Sequence, residues 1–596
     1  MCGYRIEFND KWLGYQPQVP SIAHFDSQTS RRISASISEL ISFGVVQECK
    51  FELGQFLSPI FLVSKPDSTY RKILNLKRFN EFVTYEHFKM ENLASLCDIL
   101  SHGCYMTSID LRKAYYSVSI RESDRKYLRF QWQDKLYEYT CLAMGLSSAP
   151  RIFTRLMKVL FTSFREQGVQ CVFYLDDSVI VHQSAESCLS NTSSAIDSLK
   201  AAGFHINYKK SVLQPCQRIK FLGFVVDSVS MLILLPDDKV QKLRSMCSEL
   251  LSAITITIER LSQVIGFIVS CLPAFPYGKL HYRSLEIVKI EGLRTGNYFS
   301  LVSLTVSAKN DLSWWLHNAS SSGKPVRAPA IDIELYTDAC LSGYGAVLGS
   351  QKISSPWTVD EKSTYGHSIN CLEMLAVYLA IKSFGSELRA RSVCVRCDNT
   401  TAVAYINNMG GTHALLCNEL AKQIWQIAID LQITLVASHI PGVDNTEADL
   451  ASRATVNMDI EMMLDNDVFK AICNHFHVKP DIDLFASRLN YQVACYAAWK
   501  PDPGAAYIDA FLLDWSMFKT VYIFPPFSLW GRLLPHIQKY RGIVQIIVVY
   551  PEWKGQYWFP KLSATIAESF KLPAGCISLP PPHRMDRKFQ LCAGRI

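Results

Sequence analysis

The chain has 596 residues, 49% of them hydrophobic and 19% charged, with a net charge of +7. At roughly 150 residues per domain this length builds several cores, which excludes a small module or a disordered tail, while the mild basicity permits a polyanionic partner without demanding one. The 19 cysteines follow no disulfide rhythm, and neither an N-terminal signal peptide nor an apolar run of about 18 residues stands out, so the expected setting is reducing, intracellular (cytoplasmic and/or nuclear) and away from the membrane.

Residues 1–30 are polar and irregular, with Pro17 and Pro20, and read as a lead-in. Residues 30–46 suit an amphipathic helix ending at Gly44, and residues 56–63 a strand that feeds a turn and a cationic return through Lys65, Arg71 and Lys72. Such a hairpin is either solvated or holds a triphosphate. Residues 106–110 alternate as a strand ending in Asp110, followed by the aromatic pair Tyr115-Tyr116. Met144-Gly145-Leu146-Ser147-Ser148-Ala149-Pro150 then leads small residues into a helix, which lets a backbone or a flat base approach closely. Tyr174-Leu175-Asp176-Asp177 lies between the apolar runs Val172-Phe173 and Val179-Ile180-Val181, which places two carboxylates at a hairpin tip. Adjacent aspartates repel and resist desolvation, so this tip is either a solvated turn or a cation site suited to magnesium. Asp110 is the third carboxylate that two-metal phosphoryl transfer needs.

These motifs, in this order over residues 40–235, resemble the fingers and palm of a retroelement reverse transcriptase. The resemblance implies Asp110 and Asp176 as metal ligands with Asp177 as a less direct neighbour, Tyr115 as the gate against a ribose 2′-hydroxyl, and Gly145 under the template and incoming nucleotide. It further implies Lys65 and Arg71 on the triphosphate, the turn Phe221-Leu222-Gly223-Phe224 as the primer grip, and either Lys209 or Lys210 near the leaving pyrophosphate. Residues 236–330 turn helical, with an apolar face over 258–269 and the pair Trp314-Trp315 expected in the core, and correspond to a thumb and connection. Residues 320–325 read as a flexible domain boundary.

A second acidic set follows. Strands ending in Asp338 and Asp398, a helix with Glu373 in its first turns, and Asp449 resemble the metal-binding acids of a ribonuclease H domain over residues 331–455, with His439, ten residues before Asp449, as its proton carrier. Cys394 and Cys397 form a CxxC with no second pair downstream and read as buried packing rather than zinc ligands, and Cys473, His475 and His477 read the same way.

Residues 456–596 suggest an open α/β sheet, with strands near 481–487, 521–527 and 543–550. Asp481-Ile482-Asp483-Leu484-Phe485 and Phe524-Pro525-Pro526-Phe527 faintly resemble adenine-type DNA methyltransferase loops, but no glycine-rich loop follows Asp483 and Phe524 replaces a polar residue, so a structural module is favoured over an active enzyme. The expected fold is α+β and α/β multidomain: a right-hand polymerase of fingers, palm and thumb, a ribonuclease H-like domain, and a Rossmann-like C-terminal domain. This order resembles the polyprotein of DIRS-like retrotransposons, with gypsy-like elements as the runner-up. The resemblance implies an RNA-directed DNA polymerase with ribonuclease H activity, two Mg2+ or Mn2+ ions per active site, and RNA template, DNA primer, RNA–DNA hybrid and dNTPs as partners. It also implies a tyrosine recombinase on a separate chain, and it leaves the oligomeric state open. The competing class is a decayed or host-adopted nucleic-acid-binding protein, against which the intact motif acids argue.

Overall fold

The computed structural model describes residues 3–20, 25–64, 70–320, 323–454, 461–579 and 590–596. They divide into two compact units: residues 1–248, 267–276 and 316–328 in the first, and 249–266, 277–315 and 329–596 in the second.

The first unit is built on a four-stranded antiparallel sheet. Strand β1 (Tyr105–Asp110) lies between β3 (Asp177–His182) and β4 (Val212–Cys216), and β2 (Gln170–Tyr174) pairs with β3 on the far side. Helix α1 (Ala149–Glu166), with Pro150 in its first turn, buries Phe153, Met157, Phe161 and Phe164. These join Ile109, Phe173 and Ile180 of the sheet in one core. The helical period on one element and the alternating period on the other produce a single apolar layer.

A second cluster packs around the helix Ser27–Ser42, which the Asp26 side chain caps by accepting the Gln28 and Thr29 N–H groups, and which ends before Gly44 at a φ of 68°. Val46, expected at the end of that helix, instead opens the strand Val46–Cys49. Of the strand expected over residues 56–63, the hairpin ladder begins at Ile60, while Leu57 makes an isolated bridge to Arg129. Pro59 has no N–H to donate to a ladder, and its carbonyl accepts from the Asn75 N–H at 2.8 Å. The Lys324–Pro325 segment, expected to be flexible, pairs as a short strand with Leu232–Leu234.

The described residues of the second unit contain two five-stranded sheets. The first runs in the order β7 (Gln351–Pro356), β6 (Gly343–Leu348), β5 (Ile333–Ala339), β8 (Ser392–Cys397), β9 (Thr434–His439), antiparallel on the β7 side and parallel from β5 to β9. Helix α2 (Ile369–Ser383) is buried along most of its length, and helix α3 (Thr446–Arg453) packs on β5 and β6. Of the two tryptophans expected in the core, Trp315 is fully buried, whereas Trp314 stacks on His281 at 4.0 Å.

The C-terminal sheet runs β10 (Ile482–Asp483), β11 (Thr520–Ile523), β12 (Gln545–Pro551), β14 (Leu591–Arg595), β13 (Glu568–Lys571), parallel from β10 to β12 and antiparallel beyond. Arg488 joins the two sheets: its guanidinium donates to Ser355 Oγ at 2.9 Å and to the Pro356 carbonyl at 3.0 Å, pairs with Glu361, and lies 5.5 Å from the Tyr344 ring centre. Such a buried, multiply bonded arginine fixes register across a contact better than a flexible lysine would.

Asp483 is 2% exposed and accepts N–H bonds from Gln492 at 3.1 Å and Phe485 at 3.4 Å, yet burial pushes its carboxyl up to about 7. With the folded value above the unfolded one, the folded chain holds the extra proton and stability falls as pH rises from about 4 through 7. The loss is about 4 kcal/mol across that window. Asp483→Asn is expected to flatten the corresponding slope of Tm against pH in calorimetry of the full chain, and an unchanged slope would contradict a buried, protonated Asp483.

Candidate active sites

The first site is assembled at one end of the four-stranded sheet. Asp110, the last residue of β1, stands directly opposite Asp177, the first of β3. Asp176 precedes it in a two-residue turn closed by the Tyr174–Asp177 pair, with Leu175 at a left-handed φ of 53°. The sequence reading put both aspartates at the tip; Asp177 belongs to the strand because Leu175 and Asp176 alone suffice to make the turn. The Leu111 N–H donates to the Asp176 carbonyl at 2.9 Å, and the Asp110 N–H to Ser211 Oγ at 3.0 Å, so the backbone holds the acids in place.

Burial first, then the charges of Asp176 and Asp110, push the Asp177 carboxyl up to about 6. Carboxylates held this close repel unless a cation lies among them, and an all-oxygen set of this kind fits a hard divalent ion.

The acids open into a cleft of about 700 Å³ whose walls include Tyr115, Gly145, Phe153 and Lys210. Phe153 braces the Tyr115 ring edge-on at 5.3 Å, and burial followed by the Asp176 charge pushes the Tyr115 hydroxyl up to about 12. Gly145 has a φ of 102°, and a Cβ there would stand 3.3 Å from the Leu74 carbonyl. Of the two lysines left open by the sequence, Lys210 lines the cleft and its charge lowers the Asp177 pKa; Lys209 is not part of the lining.

Asn80 escaped the sequence reading. Its Nδ2 donates to the Gly145 carbonyl at 2.9 Å and its Oδ1 accepts the Ser147 N–H at 2.9 Å, clamping the small-residue loop. The partners lie 65 and 67 residues apart in sequence, and no local pattern marks such a pair.

Lys65 and the Arg71 side chain lie outside the described residues; the Arg71 backbone pairs with Val63. Phe221, Leu222, Gly223 and Phe224 form a tight hairpin, with φ of 47° at Leu222 and 78° at Gly223. Phe221 and Phe224 are buried, Lys239 Nζ lies 4.9 Å from the Phe224 ring centre, and the hairpin stands outside the cleft lining.

The second site lies at the ends of the parallel strands β5 and β8. Tyr336 pairs with Arg396, so Asp338 and Asp398, each two residues further on, are neighbours; Asp398 sits just past the end of its strand. Glu373, on the fifth residue of α2, is 4% exposed, and burial with the charges of Asp338 and Asp398 pushes it up to about 9. Asp338 is also 4% exposed, and its Oδ2 has no hydrogen-bond partner. Burial raises its pKa, and the charges of Asp398 and Asp449 add to the rise.

A carboxylate oxygen buried without a donor is expensive, and a cation is the natural compensation, so the donor set fits a divalent metal. Asp449, on α3, pairs with Arg453 at 2.7 Å. His439 ends β9, exposed and opposite Cys397 in the register. Cys397, expected as buried packing, is fully buried in the core, and its Sγ in addition lies 3.7 Å from Glu373 Oε2, a contact the sequence reading did not foresee. Its place beside Asp398 at a strand end was the available signal.

Gly345 pairs with Asp338, and a Cβ there would fall 2.3 Å from the Ala448 carbonyl oxygen and 2.5 Å from the Ser452 nitrogen, both backbone of α3. Gly345→Ala is expected to displace the helix that carries Asp449 and to cost about 1–3 kcal/mol or more, read as a lowered denaturation midpoint. A wild-type midpoint would contradict this packing.

Residues 63–226 match the family described as reverse transcriptase (RNA-dependent DNA polymerase). Among curated proteins, the chain is 26% identical over 200 residues to the Retrovirus-related Pol polyprotein from transposon opus of Drosophila melanogaster, covering 33% of this chain and 19% of the relative. It is 23% identical over 445 residues to the Enzymatic polyprotein of Cauliflower mosaic virus (strain Strasbourg), covering 70% of this chain and 60% of the relative. The chain thus spans about a fifth of the first relative's length and 60% of the second's. Among solved structures, a foamy viral protease-reverse transcriptase in complex with dsDNA aligns at 18% identity with a TM-score of 0.49, over 73% of this chain and 88% of that one.

Proposed function

We propose that this chain, which carries a reverse transcriptase domain and is related to retroelement polyproteins, is an RNA-directed DNA polymerase that also cleaves the RNA strand of RNA–DNA hybrids. The observation that carries the polymerase reading is the register of Asp110 against Asp177 with Asp176 in the adjoining turn, Asp110 and Asp176 lining a cleft that also holds Gly145 and Lys210.

In this reading Asp110 and Asp176 hold the ions, and Asp177 tunes the charge between them. Two divalent ions, Mg2+ or Mn2+, would activate the primer 3′-hydroxyl and neutralise the leaving pyrophosphate. Tyr115, kept neutral and braced by Phe153, bounds the sugar side of the incoming dNTP and excludes a ribose 2′-hydroxyl. Gly145, positioned by Asn80, lets the template–nucleotide pair lie flat on the backbone. Lys210 meets the phosphate charge, with Lys65 and Arg71 gripping the triphosphate and the 221–224 hairpin gripping the primer.

The nuclease reading rests on the convergence of Asp338, Glu373 and Asp398 with Asp449 at the end of one five-stranded sheet. These acids hold the hydrolytic ions, and exposed His439 carries protons to solvent. Selectivity for RNA comes from groove shape and 2′-hydroxyl contacts. The partners are therefore an RNA template, a DNA primer, dNTPs and the hybrid product. Among the described residues no helix is long and apolar enough to cross a membrane, and the working compartment we assign is cytoplasmic and/or nuclear.

The C-terminal sheet, braced through Arg488, is assigned a structural role, and its presence after the nuclease domain favours a DIRS-like element with the recombinase on another chain. DNA synthesis and hybrid cleavage measured side by side on primed RNA with Mg2+ or Mn2+ test the proposal. A folded protein that incorporates no nucleotide with either metal would overturn it and favour a nucleic-acid-binding relic.

A further inference from the structure

We infer that Cys397 converts part of the nuclease centre into a soft-metal site, in which Glu373, Cys397 and Asp398 bind Zn2+ or Cd2+ in preference to Mg2+, so that these ions inhibit hybrid cleavage. The inference deepens the nuclease reading and rests on it for the inhibition, though not for the binding.

Ligand atoms of Glu373, Cys397 and Asp398 all lie within 4.8 Å of one another, and the Cys397 Sγ to Glu373 Oε2 distance is 3.7 Å. Tetrahedral ligands at about 2.0–2.3 Å from zinc stand roughly 3.5 Å apart, a spacing the Cys397–Glu373 pair already approaches and the set reaches by closing on the ion. An independent feature points to the same spot: the Oδ2 of Asp338, a residue 4% exposed, is buried without a partner, and the Asp338 charge acts on Glu373.

The chemistry of the set decides which ion gains. Magnesium takes hard oxygen ligands, and a thiol offers it nothing, whereas zinc and cadmium form strong bonds to thiolate. The thiol now donates to Glu373 and accepts the Asn399 N–H at 3.3 Å; burial, then the Glu373 charge, push its pKa up, so it is the incoming ion that displaces the proton. On binding, the S–H bond breaks, the proton leaves to solvent, and the S–metal bond forms with no change in oxidation state. The zinc or cadmium ion then occupies carboxylates that hydrolysis requires for magnesium.

The test uses the full-length reduced protein titrated with Cd2+ and Zn2+, following the cadmium–thiolate charge-transfer absorption and the calorimetric binding isotherm. Cys397→Ser is expected to remove one thiolate's share of the absorption, weaken the tightest Zn2+ step at least tenfold, and raise by at least tenfold the Zn2+ needed to halve whatever Mg2+-dependent cleavage the variant retains. Cys394→Ser, three residues earlier on the same strand, should alter none of these. If Cys397→Ser fails to fold, Asp398→Asn, which leaves the thiol in place, must weaken the same Cd2+ step. An unchanged isotherm and absorption in a folded Cys397→Ser or Asp398→Asn protein would overturn the inference. Tight Cd2+ binding through Cys397 in a protein that cleaves no hybrid would instead support the metal site and remove the nuclease reading.

Discussion

Asp176→Asn is expected to reduce DNA synthesis on a primed RNA template by on the order of 10³-fold or more, while the same protein continues to cleave an RNA–DNA hybrid. A metal that stabilises transition-state charge contributes several kcal/mol, and each 1.36 kcal/mol is a factor of ten. Asparagine keeps the shape of the side chain but removes the charge that holds the ion. Asp176 is exposed, and the Leu111 bond to it runs through the backbone carbonyl and survives the substitution. Asp177→Asn should be milder. Asp177 is half-buried and outside the cleft lining, so neutralising it removes no lining carboxylate and relieves repulsion with Asp110 and Asp176. Equal activity of wild type and Asp176→Asn under both Mg2+ and Mn2+ would refute the assignment of this cleft as the polymerase centre.

Acids at strand ends are legible because the apolar alternation that makes a buried strand stops at the charge. Asp110 ends its strand, Asp338 stands one residue before the end of its own, and Asp398 falls one residue beyond its strand because Cys397 makes the last ladder contact. What a one-dimensional pattern lacks is the distance between elements. Asn80 reaches its loop, and Cys397 its glutamate, across stretches in which no spacing rule applies. Lys209 and Lys210 are identical by composition and differ only in the direction the chain gives them, which only the cleft resolves. The C-terminal sheet was legible as α/β, but its first strand holds just Ile482 and Asp483; the remaining residues of that apolar stretch serve the turn that carries Phe485 and Ala486. Arg488 has no motif at all, since its role depends on a carbonyl and a hydroxyl offered by another sheet.

Asp338→Asn is the complementary experiment, and it should move two quantities in opposite directions. Hybrid cleavage is expected to fall on the order of 10³-fold for the same reason as at Asp176, with DNA synthesis retained. Metal-free stability is expected to rise. In wild type, Asp338 is 4% exposed with an unpartnered Oδ2, and after burial its charge is the largest influence holding Glu373 at about 9. Because the folded Glu373 value lies above the unfolded one, the folded state binds the extra proton. Its stabilisation is therefore present below about pH 4.5 and is lost as pH rises through 9. In EDTA the Tm of the wild-type chain should decline across that range, and Asp338→Asn should show both a higher Tm near pH 8 and a shallower decline, since one like charge has gone and Glu373 ionises more easily. A centre that gives up stability to keep carboxylates buried and uncompensated does so because a cation repays it on binding. If Asp338→Asn were inactive and also less stable in EDTA, the residue would be a structural acid and its loss of cleavage a consequence of misfolding. Inactivity with a raised metal-free Tm separates a metal ligand from a packing residue.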